Sequence, residues 1–353
     1  MPIAAPASKP TIWFVGLTTL DVIHRVAVPA ASNKKVTATR QDVAAGGPAA
    51  TAAITAAALG ANAVLLSAIG ESPIAAAAKA DLTAAGVKML DAAQGEPFPL
   101  AVSAVEVTDG SGERSVVSAD AALASAPKPS ASELTELATV HGYPAVILLD
   151  GHHPELARGV VEWVANTVIP GKPEPRIVLD CGRWRPIFAE LFSSAEVVAC
   201  SADFKFPDDD DSGDNQDSEY DADAAVADDA DEDNDPTGAI LDELAQAVVI
   251  THGANPVTYE TQEGLEGEVA VPAVPVMDTL GAGDAFHGAL AVAIARRGIG
   301  QDGTPRDIDD ILPQVIADAI AVAAERVQHI GPRTWLSAIA SLKVGEESRA
   351  AGE

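Results

Sequence analysis

Residues 44–70 read AAGGPAATAAITAAALGANAVLLSAIG. A glycine pair opens the stretch, an alanine-rich run over 48–59 predicts a helix closed by Gly60, and AVLLSAIG (63–70) follows as an apolar strand. The same rhythm recurs along the chain. TIWFVG (11–16), PAVILLDG (144–151), RIVLD (176–180), EVVACS (196–201) and AVVITHG (247–253) read as further strands. Helices are predicted over 73–85, closed by Gly86, and over 154–168, 282–297, closed by Gly298, and 306–328. Continuous apolar strands alternating with helices imply an α/β fold, a doubly wound and mostly parallel sheet with helices on both faces.

Two segments break the rhythm. HRVAVPAASNKKVTATRQDVA (24–44) and FPLAVSAVEVTDGSGERSVVS (98–118) read as alternating strands, with a turn signal in DGSGER at 109–114. They predict a small β-sheet outside the main one, placed as a lid over the carboxyl ends of the main strands, where ligands bind in such folds. The expected organisation is an α/β body of residues 11–23, 45–97 and 119–343, a lid of 24–44 and 98–118, and a tail over 344–353. Residues 208–236 carry acidic side chains at about half their positions and neither Lys nor Arg. Such a stretch buries too little apolar surface to offset its ordering entropy and is expected to be a disordered insertion.

A formal charge of −30 argues against nucleic acid or an anionic membrane as partner, because such binding needs clustered cations. Two cysteines, Cys181 and Cys200, do not make a disulfide framework or a cysteine zinc site and fit a reducing compartment. The opening MPIAAPASKPTIWFVG lacks a basic region followed by an apolar run, and no apolar stretch approaches the roughly 20 residues a bilayer requires. A soluble, cytoplasmic protein is expected.

The chemistry concentrates in MDTLGAGDAFHGAL, residues 277–290. Glycines before a helix turn free N–H groups toward one point, and the helix N-terminus adds roughly half a positive charge there. Gly281, Ala282 and Gly283 are thus candidate anion-binding amides, and Asp284, in the first turn, can accept a hydroxyl proton beside them. That combination suits phosphoryl transfer to an alcohol. Position and spacing disfavour a dinucleotide fingerprint, and no Lys completes a Walker loop. Asp278, read as lying at a strand end, either fixes the turn or supports a cation site. His287 reads as a packed histidine of a small-residue helix, and His152 and His153 as surface or helix-capping residues.

DTLGAGD followed by a small-residue helix resembles the C-terminal signature of the ribokinase-like (PfkB) carbohydrate and nucleoside kinases, and AAGGPAATAAITAAALGANAVLLSAIG resembles their N-terminal glycine-glycine signature. VGLTTLD (15–21) is similar to the family's first strand ending in a substrate-binding Asp, and VVITHGA (248–254) to its strand beside the nucleotide phosphates. The layout is closest to the ketohexokinase-like branch. The resemblance implies Asp284 as general base and the amides of Gly281, Ala282 and Gly283 as anion hole. It also implies Asp21, Gly46, Gly47 and Thr51 at the substrate, and Thr251, Gly253 and Thr279 toward the nucleotide. ATP and Mg²⁺ are the implied cofactors, with a monovalent cation as a further candidate. A sugar and ATP are the implied small-molecule partners, with a homodimer through the lid strands.

Two departures stand out. Pro48 and Thr51 follow the glycine pair where relatives often carry Asn, and Ser201-Ala202-Asp203-Phe204 replaces an expected Asn-x-x-Glu, leaving Asp203 as the candidate metal-side carboxylate. The expected activity is ATP-dependent phosphorylation of a primary hydroxyl of a small sugar or polyol. Alternatives are a nucleoside kinase, which would want aromatic surfaces that a 4% aromatic content supplies poorly, and a sugar-phosphate kinase, which would use the lid cations Lys34, Lys35, Arg40 and Arg114. A catalytically silent sugar- or nucleotide-binding regulator is the rival from outside enzymology.

Overall fold

The computed structural model describes residues 9–207, 236–300 and 303–346. The expected acidic insertion, Pro236 excepted, and most of the expected tail lie outside the described residues. The chain opens with β1 (Thr11–Val15), β2 (Thr19–Val26), β3 (Arg40–Gly46), α1 (Pro48–Ala58), β4 (Asn62–Ser67), α2 (Pro73–Ala84) and β5 (Lys88–Asp91). It continues with β6 (Ala101–Thr108), β7 (Arg114–Val117), α3 (Ala131–His141), β8 (Val146–Leu149), α4 (Pro154–Asn166), β9 (Arg176–Cys181), α5 (Ile187–Leu191) and β10 (Val197–Ser201). Beyond the insertion come α6 (Thr237–Asp242), β11 (Ala247–His252), β12 (Asn255–Thr261), β13 (Glu266–Val269), α7 (Ala282–Arg297), α8 (Leu312–Arg326) and α9 (Leu336–Ile339).

The main sheet has the order β13-β12-β11-β10-β9-β8-β1-β4-β5. Seven strands from β5 to β11 run parallel, and β12 and β13 add an antiparallel edge. The apolar runs end up covered on both faces. Along β1, Ile12 and Phe14 enter one core with the helices α1, α7 and α8, while Trp13 and Val15 enter the other with α3, α4 and α5. Trp13 stacks on Trp163 of α4 at 5.1 Å between ring centres. No helix among the described residues is long and apolar enough to cross a membrane.

The expected elements differ from these mainly at their ends and in several omissions, among them the short helices α5, α6 and α9. The strand-helix alternation does not announce α3, although Ser130 and Glu133 form a reciprocal capping box at its start. Nor does it announce the edge hairpin of β12 and β13, whose half-polar strands lack the continuous apolar signature of the sheet centre. The short β5 was equally silent. The expected helix over 306–328 is ordered as α8 only from Leu312.

The second sheet has the order β3-β2-β6-β7. Two antiparallel hairpins, β2 with β3 and β6 with β7, are joined by the parallel pair β2 and β6. The chain enters it at Thr19, earlier than the expected residue 24. VGLTTLD is therefore not one strand ending in an aspartate: β1 stops at Val15, and Asp21 stands on β2, in the small sheet.

The helices α1 and α7 pack unusually closely. A Cβ added at Gly288 of α7 would sit 2.5 Å from the Ala52 carbonyl oxygen of α1 and 2.9 Å from Thr55 Cβ. Only the missing side chain admits that approach. Gly288→Ala should therefore lower stability. Overpacking costs about 1–3 kcal/mol, and removing a helix-interior glycine returns roughly 0.5–1 kcal/mol. Urea midpoints of the two proteins will read the net loss, and an unchanged or raised midpoint would contradict the packing account.

Candidate active site

Packing α1 on α7 sets their N-termini side by side, each entered through a glycine that carries no side-chain cap. Gly47 precedes α1 with φ 92°, and Gly281 precedes α7 with φ 73° in the left-handed region. A Cβ at Gly47 would lie 2.5 Å from the Leu17 carbonyl oxygen, so the turn is closed to larger residues. Where α1 lacks its own cap, Asp150 supplies one from the end of β8. Its carboxylate accepts from the amides of Leu17 at 2.8 Å, Ala49 at 3.1 Å and His152 at 3.0 Å. Burial alone would raise the pKa of Asp150, but the adjacent His152 and these amide bonds hold it well below the usual carboxylate range.

Beside this frame stands Asp284. It lies in the first turn of α7 and is half-buried. The Gly281 Cβ position is 3.7 Å from its Oδ2 and 3.5 Å from the Thr51 methyl, so Thr51, Gly281 and Asp284 form one cluster. Desolvation raises the pKa of Asp284 to about 6, with Asp180 and Asp21 adding to the rise and His287 and Arg114 opposing it. A carboxylate so placed is a usable base near neutral pH. Of the neighbouring amides, Ala282 N–H already donates to the Thr279 carbonyl at 3.2 Å. The space beside Gly283 is open, with no atom within 4 Å of a Cβ built there.

Asp21 approaches from the small sheet. A Cβ at Gly46 would meet its carboxylate at 2.0 Å, so the glycine is required by the aspartate's position. Thr19 Oγ1 donates to Asp21 Oδ1 at 2.6 Å. Burial raises the pKa of Asp21, offset in part by Thr19, Ser103 and Arg333, with Asp120 adding to the rise.

Asp278 belongs to the frame. It stands at no strand end, since β13 stops at Val269, and it is 2% exposed. Its carboxylate lies 3.0 Å from Arg25 Nη2 of β2 and 3.5 Å from Arg326 Nη2 of α8, and it accepts from the amides of Leu280 at 3.0 Å and Gly331 at 3.2 Å. Thr279 is bound by the small sheet as well: its Oγ1 donates to the Gly112 carbonyl at 3.0 Å, and Arg114 Nη1 donates to both its oxygens at 3.3 Å. Turn-fixing is the role these contacts give Asp278.

The remaining candidates stand apart from this cluster. Thr251 is next to last in β11, and its Oγ1 donates to the Cys200 carbonyl at 3.3 Å. Gly253, φ 62°, makes the two-residue turn from β11 into β12, since His252 pairs with Asn255. Both lie on the carboxyl edge of the sheet. Asp203 is exposed on the loop after β10, its amide donating to Ser201 Oγ at 3.2 Å. Among the described residues no group of three or more His, Cys, Asp or Glu could hold a metal ion. In the small sheet, Arg40 is engaged by Asp42 at 2.6 Å.

Sequence reasoning passed over Asp180, the strand-end carboxylate of β9, and it read His153 as a surface or capping group, whereas His153 is 3% exposed and makes no side-chain cap. A carboxylate at the carboxyl end of a parallel strand was the available signal for Asp180. Arg25 and Arg326 had none, because their partner is distant in sequence.

The model of the pfkB family carbohydrate kinases matches residues 9–142 and 218–338. No curated protein sequence matches the chain significantly. Solved structures share its fold. Giardia lamblia ribokinase superposes with a TM-score of 0.69 at 16% identity, over 94% of this chain and 98% of that one. Arabidopsis thaliana ribokinase, complexed with ribose and ATP, gives 0.63 at 18% identity, over 95% and 99%. Thermotoga maritima ribokinase gives 0.61 at 17% identity, over 94% and 99%. The fold is ribokinase-like.

The charge cluster beneath the turn is open to test. Asp278→Ala leaves two nearly buried guanidinium groups without their carboxylate, and breaking such a pair costs about 3–5 kcal/mol. Asp109→Ala removes the more exposed partner of Arg25 and should cost less than about 1 kcal/mol. Equal shifts in urea midpoint for the two variants would contradict the role given to Asp278.

Proposed function

Because its family model matches well over half of the chain, the protein belongs to the pfkB family of carbohydrate kinases, and on that premise we propose that it moves the terminal phosphoryl group of ATP to a primary hydroxyl of a small sugar or polyol. The observation that carries this reading is Asp284: a half-buried carboxylate with a pKa of about 6, in the first turn of a helix entered through left-handed Gly281. Asp284 takes the proton of the acceptor hydroxyl. The amides of Gly281 and Gly283, with the N-terminal end of α7 behind them, stabilise negative charge gathering on the transferred group. Ala282 keeps the loop in shape through its bond to Thr279.

Asp21 and Thr51 bind the acceptor's other hydroxyls, and Gly46 lets the backbone pass close to it. The small sheet is the lid, fastened to the turn through Thr279 and excluding water from the reacting groups. Thr251, Gly253 and Thr279 lie toward the nucleotide. The open space beside Gly283 and the uncapped end of α7 suit an anionic phosphate chain. Mg²⁺ usually binds through phosphate oxygens, water and one or two carboxylates, so its place here needs no three-residue protein cage. Asp203 is the candidate carboxylate. When bound, ATP supplies the phosphoryl group and Mg²⁺ neutralises charge on it.

The acceptor side favours a neutral substrate. Asp21 and Asp120 repel one another there, Arg40 is engaged by Asp42, and Arg333 donates to Asp81 at 2.6 Å. A sugar phosphate would bring more negative charge to this end.

Asp284→Asn tests the assignment. Loss of a general base typically costs 10²–10⁴ in rate, so turnover should fall by about that factor while circular dichroism stays native. The same change should raise the melting temperature at pH 7–8. A carboxyl pKa lifted from 3.8 to about 6 means that ionisation opposes folding progressively between those values and most strongly above pH 6. For the same reason native turnover should decline below about pH 6. Near-native turnover in a folded Asp284→Asn protein would overturn the reading.

A further inference from the structure

Beneath the base lies a buried ion pair that the scheme above leaves idle. Asp180, next to last in β9, and His287, in α7, are each 6% exposed, and their Oδ2 and Nδ1 atoms are 2.9 Å apart. His287 follows Asp284 by three residues, which puts both on one face of the helix. Neither of the paired atoms has a well-aligned hydrogen bond, and His287 Nε2 is buried without a partner. A neutral ring would leave the buried Asp180 carboxylate without an opposite charge beside it. The contact makes physical sense as carboxylate against imidazolium.

We propose that the Asp180–His287 pair is a positioning device for the base: Asp180 holds a positively charged imidazole one helical turn beneath Asp284, where that charge keeps the catalytic carboxylate ionised. The inference rests on Asp284 being the base. Four charged groups bear on it most, and of the other charges on α8, Asp318 accepts from Arg297 and Glu325 pairs with His329. Asp180 of β9 and Asp21 of β2 push a proton onto Asp284, while His287 and Arg114 of β7 pull it off. Arg326 of α8 also feels the Asp284 charge. The other elements packed on α7, namely α1, β1 and β8, contain no titratable side chain. Without His287, Asp284 would face Asp180 as one bare carboxylate faces another, an arrangement that raises a pKa. Protonated His287 turns that neighbour into half of a neutral pair. Burial pulls the His287 pKa down, but the charge and proximity of Asp180, followed by the charge of Asp284, raise it overall.

Two measurements decide the matter. In His287→Asn, with its fold verified by circular dichroism, the acid limb of the rate against pH should move upward by roughly one unit, the size expected when one adjacent opposite charge is lost. A packed, neutral histidine predicts no movement of that limb. If the variant does not fold, nitrogen-15 NMR of the native full-length chain gives the answer without any turnover. The His287 ring should remain an imidazolium above the ordinary histidine value of about 6.5, and Asp180→Asn should bring its titration down below that value. An unmoved acid limb in a folded variant, or a His287 ring already neutral at pH 6 in the native chain, overturns the proposal. Since the NMR readout needs no substrate, a chain without kinase activity would sink the assignment of Asp284 as base and still report on the ion pair.

Discussion

The close approach of α1 and α7 is the constraint on which the site depends. Gly288 against the Ala52 carbonyl lets two alanine-rich helices nearly touch, and their glycine-entered N-termini then share one cleft. Neither end is capped by its own N-cap side chain. One is satisfied by Asp150, which holds the glycine pair in place, and the other, in the proposed reaction, faces the transferred phosphate. In that reaction the positive end of α7 supplies an electrostatic setting that suits a phosphate without a cluster of lysines. That reconciles an anion site with a chain whose formal charge is −30.

The carboxylates near the cleft divide by what surrounds them. Asp150 and Asp278 are buried but wrapped in amides or guanidinium groups, and they hold backbone in place. At Asp284 the opposing charges of His287 and Arg114 do not offset burial, and its pKa rises. The difference separates frame from chemistry more clearly than burial does. The cost of the frame is three nearly buried charges at Asp278, Arg25 and Arg326, a grouping that is worth little as net stability but ties β2 of the small sheet to the turn before α7.

Much of this was legible in the sequence, for particular reasons. Apolar strands bounded by glycines announce the parallel core, and Gly-Ala-Gly announces the turn into a helix. Asp284 stands where that pattern put it, at the start of α7. Asp21 was assigned to the wrong strand, because VGLTTLD is continuous in composition and the chain changes sheets at Gly16 to Thr18. Arg25 with Asp278 spans 253 positions, and His287 with Asp180 spans 107. Such pairs leave no local periodicity to read; only the folded sheet brings them together. His287 reads locally as a packed residue, and it is packed. Its meaning comes from the strand-end aspartate opposite.

The central claim is that the cleft between the ends of α1 and α7 passes a phosphoryl group from ATP to a neutral sugar alcohol. Following the terminal phosphorus of isotopically labelled ATP over a single turnover, with ketoses, aldoses, polyols, nucleosides and sugar phosphates offered separately, tests it most directly. The account predicts label on a primary hydroxyl of a neutral sugar or polyol, with little released as free phosphate. Label appearing only as inorganic phosphate, only on nucleosides or sugar phosphates, or not leaving ATP at all, would contradict it.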